Sequence, residues 1–101
     1  MKISVAEIAD KYTILLLKQE AGLIVHEDVQ EYEKALQGVD WQELYAINQQ
    51  MWDHEEIIST TTDLNSIGEH YLALRSLTLK RVAAKNKIAV QYGEHLEVKG
   101  Y

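Results

Sequence analysis

Residues 66–92, SIGEHYLALRSLTLKRVAAKNKIAVQY, read as one long helix, and that reading decides the fold. At 3.6 residues per turn, Ile67, Tyr71, Leu74, Leu77, Ala84 and Ile88 fall on one broad apolar arc. Arg81 lies in the middle of that arc, with Lys85 beside it one turn on. The centre of the stretch carries Arg75, Lys80, Arg81, Lys85 and Lys87 with no acid among them. A cation on a face that should be buried needs an anionic partner, because burying it alone is very costly. Whether that partner is a carboxylate of the same chain or an external anion is the functional question the sequence poses.

A second stripe, Leu72, Leu79, Ala83 and Val90, lies roughly opposite the first. A helix of about 27 residues extends about 40 Å, and no other helical segment of this chain matches it in length. One copy cannot easily cover both sides, so a homodimer built on this second stripe is expected.

The whole chain has 101 residues, enough for one domain with a modest core. It lacks proline and phenylalanine, and its few glycines fall where helices would end. The expected class is therefore all-α: an antiparallel bundle of three long helices and one short one, a single domain over residues 1–101. Without cysteine there is no disulfide and no thiolate chemistry. No apolar run approaches the roughly 20 residues of a membrane span. The opening residues lack the layout of a secretory signal, so a cytoplasmic setting without membrane contact is expected. The net charge of −6 hides an asymmetry. Residues 1–63 hold four Lys/Arg against thirteen Asp/Glu, and residues 64–101 hold six against three. A basic helix docked on acidic ones explains this most simply; a basic groove for an anionic ligand is the rival.

Along the chain, Ser4-Val-Ala-Glu7 is a capping box opening a first helix that runs to about Ala21, with Gly22 as its stop. Glu7, Lys11 and Lys18 form its polar stripe, whereas Asp10 falls inside its apolar sector. Leu23 to Val25 form a connector with apolar anchors. A short acidic helix over about Glu27–Leu36 ends at Gly38. Asp40-Trp-Gln-Glu43 is a second box, opening a third helix from Trp41 to about Ile58. Asn48 and Glu55 sit in the centre of that helix's apolar arc, two turns apart. Ser59 to Asp63 read as the connection to the long helix, which Gly93 ends. The tail is expected to be pinned by Leu96, Val98 and Tyr101.

Asp10, Asn48, Glu55, Arg81 and Lys85 are thus all placed on faces that should be buried. They form either a set of satisfied ion pairs that fixes helix register or a pocket for a small anion. In the second case Arg81 and Lys85 would hold the anion and Glu55 or Asp10 would act as acid or base. No metal is expected: Glu-x-x-His is missing, and the acids beside His54 and His70 are adjacent residues that point about 100° away. His26 and His95 fall at element ends. No phosphate loop, nucleophile setting or nucleic-acid motif is present, and the chain is acidic, so no cofactor and no nucleic acid is expected.

Three segments resemble a small, uncharacterised bacterial and phage domain family. Glu7, Ile8, Asp10, Lys11, Thr13, Ile14 and Leu15 resemble its E-(I/L)-x-D-K-x-T-I-L start. Asn48, Trp52, Asp53, Glu55, Glu56 and Ile57 resemble its N-x-x-L-W-D-x-E-D-x-I segment, and Glu97-Val-Lys-Gly-Tyr101 its E-E-K-S-Y end. The long helix departs from the pattern, with Leu79-Lys80 where the family has Asn-Asp. The resemblance implies an all-α fold, alone or joined to helical repeats, and supplies no activity. The function expected is a self-associating interaction or accessory module without catalysis, open to a protein partner. The alternative is a small enzyme or binder of an anionic metabolite using Arg81, Lys85 and Glu55, like the all-helical chorismate mutases in architecture alone.

Overall fold

The computed structural model describes residues 4–94, and the tail residues Leu96, Val98 and Tyr101 lie outside them. Four helices follow in order: α1 (Val5–Glu20), α2 (Val29–Ala35), α3 (Gln42–Thr60) and α4 (Leu64–Gln91). The fold is an all-α helical bundle, measuring 42 × 33 × 19 Å. The α3–α4 hairpin has the most extensive helix contact, and α1 packs on both of its helices and on α2. No helix among the described residues is long and apolar enough to cross a membrane.

The helix ends explain the boundaries. Gly22 has φ +78°, a left-handed conformation that glycine adopts without a Cβ penalty. The Leu23 amide then returns to the Lys18 carbonyl at 2.9 Å and Gly22 to Gln19 at 3.0 Å, which closes α1 as a Schellman turn. Gly93, at φ +65°, does the same for α4, with Glu94 donating to the Ala89 carbonyl at 2.8 Å. That turn aims the Glu94 side chain at the start of α1. Its oxygens accept from the Val5 amide at 2.6 Å and the Ala6 amide at 3.2 Å. Ser4 Oγ accepts from Glu7 at 3.1 Å, so the first three donors of α1 are all satisfied.

Several boundaries differ from the sequence reading. The first turn of α3 is not the expected box. Trp41 is the cap residue, its ring edge-on to Tyr12 at 5.1 Å, and Asp40 accepts from Gln42 rather than Glu43. Glu43 is instead drawn to Lys87 at 3.2 Å. Ser59 and Thr60 belong to α3, their hydroxyls bonded back to carbonyls of the preceding turn. The expected connector anchors are not anchors: Leu23 is 53% and Ile24 82% exposed, and only Val25 reaches the core.

The core gathers Ile8, Tyr12 and Leu15 of α1, Tyr32 and Leu36 around α2, Leu44 and Ile47 of α3, and Leu77, Ala84 and Ile88 of α4. It lies entirely at the open end of the hairpin. From Gln49 to Ser76 no residue is buried. That half of α3 and α4 is an arm whose inner residues, among them Ile58, Ile67 and Leu74, are only half-buried. Tyr71, expected on the inner arc, is 58% exposed for this reason.

The contact closing the two chain ends is testable. Glu94→Ala removes a carboxylate from two orphan amides and from the positive end of α1, and should cost about 1 kcal/mol. Urea unfolding should show this as a lower midpoint; an unchanged midpoint would mean that the contact contributes nothing.

Candidate functional site

The candidate site is the polar cluster where α1 crosses the base of the hairpin. Asp10 is 5% exposed, and three groups from three elements surround it. Arg81 donates twice, Nε to Oδ1 at 3.0 Å and Nη2 to Oδ2, a planar two-point match. Asn48 Nδ2 donates to Asp10 Oδ1 at 3.0 Å and to Thr13 Oγ1 at 2.8 Å. Thr13, fully buried, donates its own hydroxyl hydrogen bond to the Asp10 backbone carbonyl at 2.7 Å. The orientation of the Asn48 amide follows from this chain, because only its NH₂ can face a carboxylate and a hydroxyl already used as donor.

Burial pushes the Asp10 carboxyl up. The hydrogen bonds from Arg81 and Asn48, with the charges of Arg81 and Lys85, outweigh it and hold the group below its ordinary 3.8. Asp10 is thus an ionised, hydrogen-bonded acceptor, and this environment does not suit a general acid.

Lys85 is 4% exposed and points toward α1, where its Nζ meets Glu7 Oε1 at 2.6 Å. The Glu7 amide makes the serine half of the expected capping box, and its carboxylate, read as part of a polar stripe, serves a buried ammonium. Glu55 does not join the cluster. It is exposed and borders three open clefts, two of them shared with Ile14 and Leu17 of α1 or with Ala21 just after it. One of these, of about 180 Å³, is lined by Ile14, Leu17, Asn48, Met51, Trp52, Glu55 and Arg81, without Lys85. The structure therefore unites Asp10, Asn48 and Arg81, sets Lys85 on a neighbouring pair, and leaves Glu55 exposed in the cleft that Asn48 and Arg81 also line. Thr13, Glu7 and Glu94 were missed. Thr13 had a local signal, since it stands three residues after Asp10, but Glu7 and Glu94 meet partners 78 or more residues away.

The stripe residues Leu72 (66%), Leu79 (49%), Ala83 and Val90 (67%) all stand exposed. Among the described residues, no group of three or more His, Cys, Asp and Glu gathers to hold a metal. Comparison with protein-family models, curated proteins and solved structures finds no match.

Removing only the cation, Arg81→Met, should strand a buried carboxylate and cost about 3–5 kcal/mol. The double change with Asp10→Leu should cost much less than the sum of the single changes, and additive losses would show that the pair is not coupled.

The cluster also fixes an acid response. Because folding lowers the Asp10 pKa, the unfolded chain takes up this proton first as pH falls. The stabilisation is complete above 3.8 and drains away as pH falls through the lower, folded-state value. Asp10→Asn should flatten the stability–pH curve between about pH 5 and 2; an unchanged acid slope would contradict this assignment.

Proposed function

We propose that the protein is a self-associating helical interaction module, without catalysis, acting in the cytoplasm, and that its arm and outer α4 stripe dock on a second copy. One observation carries this reading: from Gln49 to Ser76 no residue is fully buried, while Ile57, Leu64, Tyr71 and Leu72 are exposed. Two helices whose shared seam is only half-buried gain less from packing than a closed core gives, and helix stability in proteins comes mainly from such packing. Two hairpins laid together make a four-helix bundle, the simplest way to bury such an arm.

Two features favour a second copy as the occupant. Leu72, Ser76, Leu79, Ala83, Asn86 and Val90 follow one another in steps of four and three, the seven-residue period of a helix–helix seam. A groove beside it, lined by Met51, Gly68, Tyr71, Leu72 and Leu74, carries one acid, Glu55, and one base, Arg75. A largely apolar groove of this kind can meet its own copy across a twofold axis, as a dimer contact between identical surfaces requires. The anion-binding alternative has less support, because Arg81 and Lys85 are each engaged by a carboxylate of α1.

Sedimentation across a concentration series should show a monomer–dimer equilibrium. Leu79→Glu and Leu72→Glu should each shift it to monomer while helicity is kept. A wild-type chain that stays monomeric at every concentration would contradict the proposal.

A further inference from the structure

Two of the four histidines meet inside the arm, although the sequence gives no sign of it. His54 of α3 and His70 of α4 bring their Nδ1 atoms to 2.6 Å, with ring centroids 4.9 Å apart and planes inclined at 54°. Both rings are half-buried. In a neutral pair one Nδ1 donates and the other accepts; once the donor ring shifts its proton to Nε2, both Nδ1 lone pairs converge on one point between the helices.

We propose that this pair binds a late first-row divalent cation, Zn²⁺ or Cu²⁺, through Nδ1 of His54 and Nδ1 of His70. Imidazole nitrogen is a preferred donor for these ions. Two nitrogens bound at about 2.0–2.1 Å stand about 2.9–3.4 Å apart, depending on the angle at the metal. The pair, now at 2.6 Å, therefore has to open by only about 0.3–0.8 Å, a small rotation of each ring. Because no third His, Cys, Asp or Glu joins the pair among the described residues, the other coordination positions fall to water or an external donor. Two ligands make a weaker site than the three or four of catalytic and structural zinc centres. The ion would cross-link α3 to α4 in the part of the hairpin whose seam is only half-buried. Both ligands come from one chain, so the site does not depend on self-association.

The test uses the full-length, metal-stripped protein. Zn²⁺ titration by calorimetry should give one ion per chain, and Zn²⁺ should raise the melting temperature. Cu²⁺ should give an electron paramagnetic resonance spectrum with splitting from two nitrogens. His54→Gln and His70→Gln should each weaken binding at least tenfold, and His26→Gln should leave it unchanged. If a glutamine variant does not fold, ring ¹⁵N spectra of the wild type should show Zn²⁺ shifting the Nδ1 signals of both His54 and His70. Absence of saturable binding, binding that survives both glutamine changes, or ring shifts confined to other histidines would overturn the proposal.

Discussion

The carboxylate of Asp10 is the constraint on which the rest of the structure depends. It sits in the core and is ionised, so it must be met by donors, and those donors come from α3 and α4 at once. An apolar contact tolerates a shift of part of a turn, whereas a bidentate guanidinium contact and a shared amide do not. Ion pairs of this kind are poor evidence of net stabilisation against an apolar replacement. What Asp10 adds is register: it sets how far α1 lies along the hairpin and how α3 and α4 face each other.

That register has a consequence further along. With α1 held at Asp10 and closed at Gly22, its last turns reach no further along α3 than the open clefts beside Trp52, Glu55 and Glu56. Glu94 and Glu7 fix the other end of α1 to the end of α4 and to Lys85. The remaining turns of α3 and α4 run on without cover. The same contacts that build the core therefore expose the arm, and the proposed docking function follows from where α1 stops.

Much of the fold was legible in the sequence because helix period, caps and glycine stops are local signals. Asp10, Asn48 and Arg81 were legible as polar residues on apolar faces, since each breaks a periodicity that its neighbours establish. Glu55 and Tyr71 show the limit of that reasoning. A helical wheel gives the face on which a residue lies, but not how closely the neighbouring helices pack over it. Glu7 and Glu94 were hidden for another reason. Local pattern made one a capping-box partner and the other the first residue of a tail, and only the folded chain brings in Lys85 and the amides of α1. The His54–His70 meeting was hidden likewise, because spacing along one helix says nothing about a contact between two.

The most direct test is amide hydrogen exchange on the wild-type chain at several protein concentrations. Amides in the core segments, around Leu15, Leu44 and Ala84, should be protected to the same degree throughout. Those between Trp52 and Leu74 should exchange quickly in dilute solution and become protected as concentration rises. An arm protected as strongly as the core in solutions where the protein sediments as a monomer would contradict the claim that a second copy completes it.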